Sequence, residues 1–261
     1  MKRFLILLPI LFLWFPNVSH AALTTNLVSY YKLDGNSNDA VSTNNGTDTD
    51  ITYSASYGKI NQGALFNGST SKITVPNLGI GGSTARSVSF WVKRGASTTI
   101  RTLYYNGGST AVDLDHFIIH CSGNSTGDIY VGFGNDDYYT VGGVIDNTAF
   151  YNVTVIFDGG TPSTSTVHVY VNDVSESLTK VGGATGVAAT TDANYSFGYD
   201  SIDTGNTRHF DGDMDEIGVW SRALTSTEVA QLYNGGAGLQ YPFTTTPSIP
   251  WILSSWIHWI L

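Results

Sequence analysis

The chain has 261 residues, 41% hydrophobic and 13% charged, with a mean hydropathy close to zero; this excludes a disordered or membrane-spanning protein and fits one large globular domain. Twelve basic against twenty-one acidic residues give a formal net charge of −9, which argues against a nucleic-acid or anionic-membrane partner and leaves cations and neutral polymers. The single cysteine, Cys121, excludes an intrachain disulfide, so stability must come from the core, with Cys121 itself read as a small buried hydrophobe.

The first predicted element is a leader. Lys2 and Arg3 precede an apolar run over 4–15, and Ser19-His20-Ala21 supplies small residues around a cleavage point. The expectation is a signal peptide over 1–22, cut after Ala21 or Ala22, and a secreted, extracellular or cell-envelope product; removal would leave ten basic against twenty-one acidic residues. Short β-branched or aromatic stretches then recur at 28–33, 73–75, 88–93, 99–105, 128–133, 149–157, 166–171 and 195–199, separated by clusters of Gly, Asn, Asp, Ser and Thr. Alternation sends Val88, Phe90 and Val92 to one face, and Val167, Val169 and Val171 likewise, which is the pattern of half-buried antiparallel strands. Many short strands in one domain predict an all-β, two-sheet sandwich. One stretch breaks the period: Thr225 with Glu228 forms a capping box, Val229 and Leu232 share a face, and Asn234-Gly235 ends a short C-terminal helix read as a lid on the sandwich edge. The domain is expected over 23–243. Beyond it, 244–261 is a Thr/Pro linker and an apolar tail whose last eleven residues fall short of the ~20 of a spanning helix, so membrane contact is possible only there.

The stretch from Phe210 to Leu224, with Asp215-Glu216 entering an alternating strand, then Arg222-Ala223-Leu224 and a capped helix, resembles the closing signature of laminin-G-like domains of the concanavalin A-like lectin/glucanase superfamily. Tyr30 to Gly35, Asn45-Gly46-Thr47, Ala64 to Gly68, Ser87 to Lys93 and Val167 to Asn172 follow the expected order, so the resemblance spans about residues 27 to 238. Two departures stand out: Tyr151-Asn152 where members often carry Trp-His, and Asn172-Asp173 in place of an Asn-Gly turn. The resemblance implies an antiparallel jelly roll whose concave sheet often presents a ligand surface, that binds carbohydrate or protein, with calcium in some members and glycosidase activity in a minority.

Asp211, Asp213, Asp215 and Glu216 crowd one loop, but neither a frame begun at Asp211 nor one begun at Asp34 meets the Gly and Glu requirements of an EF-hand. Two readings remain open: an irregular calcium cage from Asp34, Asp39 and Asp215 tying the two chain ends together, or a solvated loop whose carboxylates accept backbone or Arg222 hydrogen bonds. Catalysis is disfavoured, because retaining glycosidases need two carboxylates about 5 Å apart and no Glu-x-Asp-x-Glu arrangement exists. His116 and His120 share zinc-pair spacing but lie in an alternating strand without a third ligand. The binding expectation therefore rests on aromatic rings near polar loops, Tyr104, Tyr105, Tyr138 and Tyr139, as platforms for a sugar, with a glycan or an extracellular protein as partner.

Overall fold

Alternating burial resolves into two facing sheets in the computed structural model, which describes residues 22–109, 114–122, 127–134, 136–140, 143–183 and 185–244. The leader and the tail lie outside the described residues apart from Ala22 and Thr244, as does the side chain of Tyr139. The first sheet runs β13 (Val174–Ser175), β12 (Val167–Val171), β11 (Tyr151–Phe157), β6 (Arg86–Arg94), β16 (Asp211–Trp220), β4 (Gly63–Asn67) and β3 (Thr52–Ser54), with β1 (Leu27–Tyr31) also paired to β16. The second runs β14 (Leu178–Val181), β10 (Asp136–Thr140), β9 (Ile129–Phe133), β8 (His116–Cys121), β7 (Arg101–Gly107), β15 (Tyr195–Phe197), β5 (Lys72–Val75) and β2 (Thr47–Thr49). This is the antiparallel jelly-roll sandwich that the sequence implies.

Val88, Phe90 and Val92 meet Val153 and Val155 of the same sheet and face Phe117, Ile119, Val131 and Phe133 of the other, forming one continuous core. Phe133 and Phe157 join the layers with ring centroids 4.8 Å apart. Cys121 is buried in that core, and burial pushes its thiol up to about 12, so it behaves as an inert hydrophobe. The departures from the family pattern are accommodated locally. Asn172 and Asp173 both adopt positive φ, 51° and 63°, a conformation that Asn and Asp tolerate, and so close the β12–β13 hairpin. Asn152 is buried and donates to the Phe90 carbonyl at 3.4 Å, a position closed to sugar attachment.

The helix is formed as expected, with a different seat. Helix α1 (Ser226–Tyr233) has both halves of the Thr225–Glu228 capping box and stops at Asn234 in the left-handed conformation. Instead of capping an edge it lies across the outer face of the first sheet, where Val229 and Leu232 join Tyr30, Ile156, Trp220, Leu239 and Phe243 in a second apolar cluster. Tyr30, Ile156 and Trp220 face outward from the main core, and an outward apolar row has to be covered. Trp220 Nε1 donates to the Leu23 carbonyl at 2.7 Å, which fixes the N-terminal segment over the same face.

The second sheet is covered differently. On β8 and β9, Phe117, Ile119, Ile129 and Val131 enter the core, leaving His116, Ile118, His120 and Tyr130 on the outer side. The segment 198–210 runs along that side, held by Gly198 N to Leu103 O at 3.1 Å and Thr102 N to Arg208 O at 2.8 Å.

Candidate functional site

The Asp215-Glu216 step answers the question raised by the acidic loop. Pairing between β16 and β6 shifts register between Asp215 and Gly218, and Glu216 takes a positive φ of 52°. This bulge turns both carboxylates toward the covered side of the first sheet. Asp215 is fully buried; its Oδ2 accepts from Lys59 N at 2.7 Å and Ile60 N at 2.8 Å, and its Oδ1 from Glu216 N at 3.0 Å. Glu216 accepts from Tyr30 Oη at 2.6 Å and from Gln240 Nε2, clamping the segment 239–243 onto the sheet. Burial, reinforced by the charge of Glu216, pushes Asp215 up to about 9; burial pushes Glu216 up to about 7 against its hydrogen bonds from Tyr30 and Gln240.

The structure brings two of the three expected metal ligands near one loop and leaves the third apart. Asp34 accepts from Gln62 N at 2.9 Å and Gln240 Nε2 at 3.1 Å, so it and Asp215 grip the same 59–62 segment. Asp39 instead accepts from Tyr30 N and Val41 N, each at 3.0 Å, and from Ser42. Among the described residues no three carboxylate, His or Cys side chains converge on a metal position. The donor set also does not suit a cation, because N–H groups already occupy the carboxylate oxygens of Asp215. The expected cage of Asp34, Asp39 and Asp215 is thus corrected: hydrogen bonds from the first loops supply the tie between chain ends.

Three of the four expected sugar platforms are corrected as well, the side chain of Tyr139 lying outside the described residues. Tyr104 is in the core, with ring centroids 6.0 Å from Phe117 and 5.9 Å from Phe197. Tyr105 is buried against His116 and donates to the Gly108 carbonyl. Tyr138 is fully buried, edge-on to Phe133. For Tyr138 the reason is that residues 136–140 form a strand, paired to both β9 and β14, which draws that ring to the core face.

A site that the sequence did not single out lies on the outer face of the second sheet. Thr98, Thr99, Ile100, Ser122, Tyr130, Thr207 and Arg208 line an open cleft of about 420 Å³. Tyr130 is half-buried, and Ile100 is among the exposed large hydrophobic residues. Beneath the cleft stands a polar cluster. Asp200, fully buried, accepts from Thr102 Oγ1 at 2.6 Å and from Arg208 Nη2 at 3.0 Å, and its Oδ2 lies 3.5 Å from His120 Nε2. Although burial alone would raise it, hydrogen bonds from His120 and Thr102 and the charge of Arg208 hold its carboxyl below the usual range. Asp203 accepts from Arg208 N at 2.6 Å. One signal for Tyr130 and His120 was present: both alternate against core residues in stretches that read as strands. Nothing local in the sequence joined them to Arg208.

A two-sheet lectin-like sandwich with a polar, aromatic cleft on its open face is the class defined by these observations. The chain belongs to the concanavalin A-like lectin/glucanases superfamily, whose family model matches residues 67–230. No curated protein matches the chain in sequence. Among solved structures it is similar to domain 4 of AbnA, an extracellular GH43 arabinanase from Geobacillus stearothermophilus, in complex with arabinotriose: 25% identity, TM-score 0.56, covering 78% of this chain and 97% of that one. It also shares its fold with the binding domain of Paraclostridial Mosquitocidal Protein 1, at 17% identity and TM-score 0.59, covering 81% of this chain and 52% of that one. A structure of botulinum neurotoxin type C, whose cell entry depends on two ganglioside molecules, aligns at 15% identity and TM-score 0.53 over 83% of this chain and 53% of that one. The chain spans about half the length of these two toxin chains.

Proposed function

We propose that the protein is a glycan-recognition module that holds an oligosaccharide in the cleft on the outer face of the second sheet. The observation that carries this reading is the lining itself: one accessible aromatic ring, one aliphatic side chain, four hydroxyl groups and a guanidinium around a single open concavity. A ring supplies an apolar face for a sugar's C–H surface, and hydroxyl and guanidinium groups pair with its OH groups. The likeness to an arabinanase domain whose structure holds arabinotriose supports the same ligand class. Binding is favoured over hydrolysis because Asp200 is buried, committed to Arg208 and held ionised, whereas glycosidic cleavage needs a carboxylic acid kept protonated beside the scissile bond. The extracellular setting of that arabinanase supports placing this module outside the cell or in the envelope. Titration calorimetry with neutral oligosaccharides, arabinotriose among them, tests the proposal: saturable heat that Tyr130→Ala removes is the expected result, and unchanged binding by that variant would move the site elsewhere.

A further inference from the structure

The charge balance of the cleft bears on which oligosaccharides it accepts, an inference that rests on the glycan-binding reading. Arg208 is the one charged residue in the lining. Its guanidinium lies 3.0 Å from Asp200 Oδ1 and 3.9 Å from Asp203 Oδ1, two carboxylates that stand behind the lining and are 0% and 8% exposed. Two carboxylates against one guanidinium leave this group with a formal charge of −1. His120 stands against Asp200, and Tyr105 and Tyr199 are further titratable groups that feel these charges. The other nearby guanidiniums are engaged on backbone oxygens: Arg94 on the Ser122 carbonyl, and Arg101 on those of Gly68, Thr207 and His209. Neither lines the cleft.

We infer that the cleft selects neutral oligosaccharides and rejects those carrying carboxylate or sulfate groups, with Asp200 and Asp203 as the specificity-determining positioning residues. An anionic substituent at Arg208 would have to displace a buried carboxylate or settle beside two of them, and like charges placed together are costly where water is scarce. A sugar hydroxyl needs neither, because a guanidinium has five N–H donors and two carboxylates do not exhaust them. The same pairing orients the planar group, so that a neutral ligand meets a donor already fixed in place.

The test compares neutral trisaccharides of arabinose, xylose, glucose and galactose with the trisaccharide of galacturonic acid, by calorimetry on the full chain at low salt. The wild type is expected to bind at least one neutral trisaccharide at least about tenfold more tightly than the uronate. Asp203→Asn should narrow that ratio several-fold, and Asp200→Asn should do so further; should the second fail to fold, the first carries the result. A merely structural role would weaken both ligands together and leave the ratio unmoved. Uronate bound as tightly as every neutral sugar, or a ratio unchanged in Asp203→Asn, overturns the charge argument alone. No binding of any neutral trisaccharide overturns the glycan-binding reading with it.

Discussion

Two buried carboxylate centres sit on opposite outer faces of the sandwich, and their environments push them in opposite directions. Under the first sheet's covering, Asp215 and Glu216 meet neutral donors and each other, and burial raises both. Under the second sheet's cleft, Asp200 meets Arg208, His120 and Thr102, and stays ionised in spite of complete burial. Burial alone therefore does not decide the charge of a carboxylate; the partner does. The centre that burial raises lies on the covered face, where it fastens the 59–62 and 239–243 segments, whereas the lowered one lies beneath an open concavity, where it fixes a guanidinium.

The comparison can be broken or sharpened in four ways. Trp220→Ala should cost the most, about 3–5 kcal/mol in urea denaturation, because it empties the covering of the first sheet and frees the Leu23 carbonyl; glycan binding by the folded fraction should persist. The next effect is one of pH. Asp215 and Glu216 start near 3.8 and 4.5 in the unfolded chain and are raised to about 9 and about 7 in the folded one. The native state then holds more protons across that window, so their contribution is fully present below about pH 4 and is lost as pH rises toward 9. Stability in urea denaturation should therefore fall between pH 5 and pH 9, and Asp215→Asn should flatten that fall. Asp200 has the opposite sign, contributing above the unfolded carboxylate value and losing that contribution in acid. Third, Arg208→Ala leaves Asp200 buried beside only His120 and Thr102, and should cost about 2 kcal/mol, discounted because the guanidinium is 29% exposed. Tyr130→Ala is the mildest for stability, below about 1 kcal/mol for a half-buried ring on the outer face, although it should abolish ligand heat.

The architecture was readable because period-two alternation is written in consecutive residues: Val88, Phe90 and Val92 face the core as the pattern requires. The capping box was equally local. The seat of the helix was not, since an outward-facing Trp220 looks identical in sequence to an inward-facing one until the bulge at Asp215 is known. Asp136 to Thr140 read as a loop because polar residues precede the two rings, yet strand pairing on both sides overrode local composition and drew Tyr138 inward. The cleft escaped because its parts come from the loop before β7, the residue after β8, the second residue of β9 and the 198–210 segment. Only tertiary structure brings Tyr130 beside Arg208.

The anchoring of both ends of the described chain has a practical consequence. Leu23, held through Trp220, and Phe243, packed on Tyr30, belong to the same apolar cluster, on the side away from the cleft. A reporter attached at residue 23 or residue 243 therefore sits on the back of the molecule and leaves the cleft unobstructed.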